Sequence, residues 1–94
     1  MWVRNKDKSE IINLDRAESV FISDAGKMVR IWASVQSDSK MFELGEYSDE
    51  IIARVALGQL FDAISDGKWC IEMPSEKEVQ DHRCFKLHPL DHRI

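Results

Sequence analysis

The hydrophobic residues of this chain follow a two-residue period in the first half and a helical period from about residue 48. The clearest alternation runs through residues 28–36, and a strand with that pattern turns alternate side chains to opposite faces of its sheet. We expect the core-facing set to be Val29, Ile31, Ala33 and Val35.

Short β-favouring runs recur along the chain and are separated by polar, turn-forming residues. Besides residues 28–36, they cover residues 2–4, 10–14, 19–23, 41–46 and 69–73. None of the loops between the first five runs is long enough to hold a crossover helix, which favours antiparallel neighbours. The pattern predicts an antiparallel β-meander of about six strands, open or curled into a PH-like sheet or partial barrel.

A helix is predicted directly after the fifth run. Ser48 is expected as its N-cap, the helix should extend from Asp49 to Ser65 or Asp66, and Gly67 is expected just past its end. One wide apolar arc should lie on the sheet. Its members are Ile52, Ala56, Leu57, Leu60, Ala63 and Ile64.

Two more apolar residues of this helix, Ile51 and Val55, fall in the opposite, polar arc beside Gly58. Such residues need a cover if they are to leave water. The chain's own tail or a strand edge is the preferred cover, and a second copy of the chain, giving a homodimer through the outer edge of the helix, is the alternative.

The C-terminal part is predicted as a short helix followed by a tail. Ser75 and Glu78 have the spacing of a capping box, which predicts a helix from about Glu76 to His82. We therefore expect one α+β domain over residues 1–74, with one amphipathic helix packed on the meander, and a C-terminal extension, 75–94, docked on the same domain.

Composition and charge narrow the classes of function. The net charge is −4, and Lys and Arg are scattered among acidic residues, whereas nucleic-acid binding needs clustered cations. No run approaches the roughly 20 apolar residues of a membrane span, and the polar start of the chain does not look like a signal peptide. We expect a cytoplasmic protein with reduced cysteines, and neither a nucleic-acid nor a membrane partner.

Candidate chemistry is confined to the tail. His82, Cys84 and His88 have the side-chain types that bind zinc, but Pro89 interrupts the spacing that an ordered zinc site needs. The preferred interpretation is a polar tail with incidental histidines, and therefore no metal. The chain has no phosphate-binding glycine loop and no oxyanion-type loop before a helix, so we predict neither an enzyme nor a cofactor.

The sharper candidate is an aromatic surface on the sheet. Trp32 falls on the face of the fourth run away from the core, and Phe21 and Arg30 are expected beside it. Trp and Arg are enriched at protein contacts, so this face is a candidate binding surface, and the alternative is a second core under a curled sheet. Glu43 and Glu46, three residues apart, are expected on opposite faces of the fifth strand.

Several segments resemble a family of short bacterial proteins of unknown function. They are the opening Met1-Trp2-Val3-Arg4-Asn5-Lys6-Asp7-Lys8, then Ile12-Asn13-Leu14, Leu44-Gly45-Glu46-Tyr47-Ser48 and Glu72-Met73-Pro74. The family occurs mainly in Gram-positive bacteria and sometimes on phages or other mobile elements. The resemblance covers about residues 1–74 and implies a bacterial, phage-related origin, without a known activity, cofactor or catalytic residue.

Taken together, these features predict a non-catalytic protein-interaction or regulatory module. Its binding residues are expected among Phe21, Arg30, Trp32, Ile51 and Val55. The alternative is a small-ligand or metal-binding domain with a pocket between a curled sheet and the helix. That pocket would be lined by Trp32, Phe21 or Trp69, with Cys84 or His82 at its rim.

Overall fold

The computed structural model describes residues 1–35 and 40–81, so the candidate metal ligands His82, Cys84 and His88 lie outside the described residues. The α+β class, the six strands, the main helix and a short C-terminal helix are confirmed. In chain order the elements are β1 (Trp2–Arg4), β2 (Ile11–Asn13), a 3-10 turn (Leu14–Arg16), β3 (Ser19–Ala25), β4 (Met28–Val35), β5 (Lys40–Tyr47), α1 (Glu50–Ser65), β6 (Cys70–Glu72) and α2 (76–81).

The six strands divide into two three-stranded sheets. One sheet has the order β3-β4-β5 and is antiparallel throughout, as the meander predicts. The other has the order β2-β1-β6, in which β1 pairs antiparallel with β2 and parallel with β6. Since α1 separates β5 from β6 in the chain, it returns the last strand to the first, and the backbone N–H of Trp2 donates to the carbonyl of Trp69 at 2.8 Å.

One hydrophobic core joins both sheets to the helices. The alternation of β4 is confirmed, because every second residue from Val29 to Val35 is buried. The described core cluster also includes Val3 and Ile12 from the β2-β1-β6 sheet, Ile52 and Leu60 from α1, and Val79 from α2. Residues 75–81 are therefore packed on the same core as residues 1–74.

The cap of α1 lies one residue later than predicted. The carboxylate of Asp49 accepts a hydrogen bond from the backbone N–H of Ile52 at 2.8 Å, so Asp49, not Ser48, is the N-cap. The backbone N–H of Ser48 instead donates to the carboxylate of Glu76 at the start of α2. Ser48 and Asp49 are both residues that commonly cap helices, so the sequence pattern does not distinguish them. The contact of Ser48 with Glu76 of α2 leaves Asp49 as the cap.

The end of α1 follows the prediction. Gly67 has a φ of +74°, and its backbone N–H donates to the carbonyl of Ile64 at 3.1 Å. The N–H of Lys68 donates to the carbonyl of Ala63, which completes a Schellman motif. The chain therefore turns sharply after α1 and leads into Trp69 and β6.

The apolar arc of α1 is confirmed in part. Ile52, Ala56, Leu60 and Ala63 are buried on the sheet side, but Ile64 is 48% exposed. Ala53 is fully buried instead, so the contact surface is rotated away from Ile64 and leaves one apolar flank of α1 open.

Among the described residues, no helix is long and apolar enough to cross a membrane.

Candidate functional site

A β-bulge in β5 determines the charge arrangement on the outer face of the β3-β4-β5 sheet. The pairing register shifts between Ile31 and Trp32, because Ile31 pairs with Gly45 whereas Trp32 pairs with Glu43. Leu44 is therefore the extra residue on β5. A bulge of one residue reverses the alternation beyond it, so Glu43 and Glu46 share a face, and the prediction of opposite faces is wrong.

Arg30 lies between these two carboxylates. Its Nε is 3.0 Å from Oε1 of Glu43, and its Nη2 is 2.7 Å from Oε2 of Glu46. A guanidinium held by two carboxylates has most of its donors occupied. Arg30 therefore orders the outer face of the sheet and is a poor candidate for contacting an acidic partner.

The predicted aromatic pair is present on that face. Phe21 and Trp32 are in-register partners on β3 and β4, on the side of the sheet away from the core. Both side chains are half-buried, so this face is neither a second core nor a broadly exposed patch.

The helix residues Ile51 and Val55 have different environments. Ile51 is 58% exposed, whereas Val55 is half-buried and packs against the core cluster. The structure therefore places the predicted binding residues on two separate surfaces, with Phe21, Arg30 and Trp32 on one sheet and Ile51 and Val55 on α1.

A third surface, which the sequence analysis did not identify, is more exposed than either. The side chain of Trp69 is 76% exposed, Ile11 is 62% exposed and Trp2 is 46% exposed. All three lie on the outer face or at the end of the β2-β1-β6 sheet, and we call them the tryptophan face. Trp2 and Trp69 line the same groove, of about 490 Å³, together with Ile11 and Cys70.

The tryptophan face follows from which side of a very short sheet is buried. Val3, Ile12 and Ile71 lie opposite one another in register and turn toward the core. Their neighbours must then turn outward, since successive side chains alternate. A strand of only three residues is too short for its alternation to show which face is buried. The only indication in the sequence is that Val3, the central residue, is flanked by Trp2 and Arg4, which suggests that Val3 turns inward.

Charged residues of both signs lie at the border of the tryptophan face, and the positively charged ones are more numerous. The charged residues lining its groove and the adjoining groove of about 280 Å³ are Arg4, Arg16 and Glu72. Glu72 is already 3.3 Å from Nζ of Lys8 and 3.8 Å from a guanidinium nitrogen of Arg4. The surface is thus apolar in the middle and cationic at its border, although the whole chain has a net charge of −4.

The edge of β6 adds backbone groups to this surface. Within residues 1–35 and 40–81, β6 pairs only with β1, so its other edge has no strand beside it. An unpaired edge presents N–H and C=O groups to an added strand.

A polar junction around Lys6 holds the two sheets together, and its contacts have a structural role. The backbone N–H of Lys6 donates to the carbonyl of Leu44 at 2.7 Å, and the Lys6 ammonium donates to the carbonyl of Glu46. The same ammonium lies 4.8 Å from the ring centre of Tyr47. These contacts fix the β1–β2 turn on the bulge of β5.

Tyr47 extends this junction to α2. Its hydroxyl donates to the carbonyl of Pro74 at 2.8 Å. Burial raises the pKa of Tyr47, and the carboxylates of Glu78 and Glu76 raise it further. A neutral, fully buried phenol with one hydrogen bond has a packing role here and is not positioned as a proton donor to a ligand.

No group of three His, Cys, Asp or Glu side chains suited to a metal occurs in the part of the chain that the structure describes. Cys70 is a free, exposed thiol. The groove lined by Trp69 contains neither Phe21 nor Trp32. Cys84 and His82, expected at the rim of a ligand pocket, lie outside the described residues, so that pocket stays a prediction.

Comparison with protein-family models, with curated proteins and with solved structures finds no match to this chain. The resemblance to the short bacterial proteins therefore stays a prediction.

Proposed function

We propose that this protein is a non-catalytic binding module that holds an extended, apolar segment of another protein on its tryptophan face. The observation that carries the proposal is the exposure of two tryptophans in one groove, 76% for Trp69 and 46% for Trp2. Tryptophan is enriched at protein contacts and at the positions that contribute most binding energy.

The energy available on this surface favours a binding role. A large aromatic side chain buries on the order of 150–250 Å² when it is fully covered. At about 25 cal/mol per Å², covering the exposed part of Trp69 would contribute about 3 kcal/mol before the costs of association.

The neighbouring strand edge favours an extended segment as the ligand. A peptide added beside β6 would pair its backbone with the open edge and place alternate side chains on the tryptophan face. Backbone pairing supplies affinity without any special residue, which suits a sequence that lacks a catalytic motif.

The border charges indicate the composition of the segment. Arg16 and Arg4 lie at the edge of the two adjoining grooves, and only Glu72 opposes them among the lining residues. An apolar segment with an acidic residue near one end would meet this border with complementary charge.

A peptide-display selection on the full chain tests the proposal. We expect random peptides selected on the protein to be rich in apolar residues with at least one acid, and to bind Trp69→Ala at least about tenfold more weakly. The matched control is Met41→Ala, because Met41 is another large exposed apolar residue, at 52%, but lies on β5.

The outcome against the proposal is equally specific. Selected peptides that bind Trp69→Ala and Trp2→Ala as tightly as the wild type, or that lose affinity only with Met41→Ala, would place the binding surface elsewhere. Thermal unfolding of each variant separates a lost contact from a lost fold, since both tryptophans lie largely outside the core.

The setting of this function is proposed with it. We place the module in the bacterial cytoplasm, in a phage-related or mobile-element context, because the resemblance of residues 1–74 implies that origin. Genes for lysogeny control or defence beside the coding sequence would support this setting, and an unrelated housekeeping operon would count against it.

A further inference from the structure

The outer side of α1 is a second surface, and the described fold leaves most of it uncovered. It contains Ile51 and Phe61, which are 58% and 67% exposed, and it is separate from the tryptophan face. We call it the outer stripe of α1. Its exposed residues are Ile51, Arg54, Gly58, Phe61 and Asp62, and the half-buried Val55 lies at its edge.

Gly58 lies at the centre of the outer stripe, and no described neighbour requires a glycine there. A Cβ added there would meet nothing within 4 Å. A glycine inside a helix costs about 0.5–1 kcal/mol relative to alanine. The missing side chain leaves room for another backbone to approach α1 closely at this point.

The charges of the stripe are placed symmetrically about Gly58. Arg54 precedes it by four residues and Asp62 follows it by four. If two copies of α1 pack antiparallel about a two-fold axis at Gly58, Arg54 of each copy is level with Asp62 of the other, about 6 Å along the axis. The stripe is then complementary to itself, with two opposite-charge pairs.

The apolar residues have the same symmetry. Val55 precedes Gly58 by three residues and Phe61 follows it by three, so each copy's Val55 is level with the other's Phe61. Phe61 also borders a groove of about 460 Å³ with Leu57 and Ile64. Ridges of a second helix require such a groove beside the contact line.

Arg54 remains available for this contact. Among the described residues its ion pair is with Glu50, at 3.5 Å, and both side chains are more than half exposed. An exposed i,i+4 pair of this kind contributes only a few tenths of a kcal/mol, so a second carboxylate competes easily.

We propose that the partner on the outer stripe of α1 is a second copy of this chain, packed antiparallel about a two-fold axis at Gly58 with Arg54 of each copy beside Asp62 of the other. This contact uses none of the residues of the tryptophan face. A dimer therefore leaves that face open in both copies.

Charge exchange on the full chain tests the arrangement. Sedimentation equilibrium between about 1 µM and 1 mM should show a dimer for the wild type. Arg54→Asp and Asp62→Arg should each weaken dimerisation roughly tenfold or more, since each creates two like-charge pairs. The double variant, which carries both changes, should return to within about threefold of the wild type.

The controls keep the test independent of folding. Lys27→Asp makes the same charge change on an exposed turn and should leave the dimer intact. Helix content by circular dichroism should be the same in all variants, and Trp69→Ala should not alter the dimer. A wild type that is monomeric over the whole range, or a double variant no better than the single ones, would overturn the proposal.

Discussion

At the scale of single residues, the molecule depends on a close approach between Gly45 and Tyr47. A Cβ on Gly45 would lie 2.9 Å from Cε2 of Tyr47 and 3.2 Å from Cβ of Lys6. The ring of Tyr47 is fully buried and cannot move aside without breaking its hydrogen bond to Pro74. Gly45 is therefore required by packing at the bulge, and not by a positive φ.

We predict that Gly45→Ala lowers the free energy of unfolding by about 1–3 kcal/mol, as overpacking in a core does. The matched control is Gly58→Ala, where a Cβ has open space, and it should raise stability by about 0.5–1 kcal/mol. Urea unfolding at low protein concentration measures both. Equal effects of the two substitutions would contradict the packing role of Gly45.

Tyr47 itself provides a pH-dependent test. Tyr47→Phe leaves the buried carbonyl of Pro74 without its donor and should cost about 1–2 kcal/mol at neutral pH. The folded-state pKa of Tyr47 lies above its ordinary value of 10.0. The stability that this difference contributes is complete below about pH 10. It is lost as the pH rises from there through the folded-state pKa.

Urea midpoints between about pH 8 and pH 10.5 should therefore fall more steeply for the wild type than for Tyr47→Phe. Parallel curves for the two proteins would mean that the hydroxyl of Tyr47 ionises as freely in the folded state as in water.

At the scale of elements, α2 shows how a local motif is read directly from the chain. The Ser75–Glu78 capping box is present as predicted: the backbone N–H of Glu78 donates to Oγ of Ser75, and the N–H of Ser75 donates to Oε1 of Glu78, each at 3.1 Å. These bonds form within four residues and need no information from the rest of the fold.

The capping box makes α2 sensitive to acid. Hydrogen bonds with Ser75 hold the pKa of Glu78 below its ordinary value, so its contribution is complete above about pH 4.5 and is lost as the pH falls through the folded-state pKa. The stability difference between wild type and Glu78→Ala should therefore be largest near neutral pH and shrink toward pH 3.

Gln80→Ala is the control on the same helix, because Gln80 is exposed and does not titrate. Its stability difference from the wild type should not depend on pH. A difference for Glu78→Ala that is constant over the range would show that its carboxylate does not cap α2.

Other elements were not predictable from local pattern. Leu44 and Gly45 are both buried, so the bulge interrupts the alternation of β5 and brings Glu43 and Glu46 to one face. The pairing of β1 with β6 depends on where α1 delivers Trp69, which no short run reveals.

At the scale of the whole molecule, the position of the candidate binding surface also cannot be predicted from local sequence pattern. The cross-strand pair of Phe21 and Trp32 follows from alternation and is confirmed, but its exposure depends on neighbours that alternation does not describe. Trp2 and Trp69 are far apart in the chain and meet only because β6 returns to β1. Their shared groove is a product of topology.

The described residues leave two surfaces largely uncovered, and these surfaces differ in character. The tryptophan face is apolar with a cationic border, and it adjoins an edge of β6 that no described strand pairs with, which suits an extended segment of another protein. On the outer stripe of α1, Arg54 and Asp62 are placed symmetrically about Gly58, as are Val55 and Phe61, which suits a second copy. We expect a dimer that presents two binding faces, so that a divalent partner would bind with avidity.

The most direct test of peptide binding on the tryptophan face uses the three tryptophans as reporters in a single titration. Indole N–H signals of the nitrogen-labelled protein are followed by NMR while a selected peptide is added. We predict that the signals of Trp2 and Trp69 shift with a common Kd, while that of Trp32, on the other sheet, stays in place. A shift of the Trp32 signal with those of Trp2 and Trp69 unchanged would contradict this prediction.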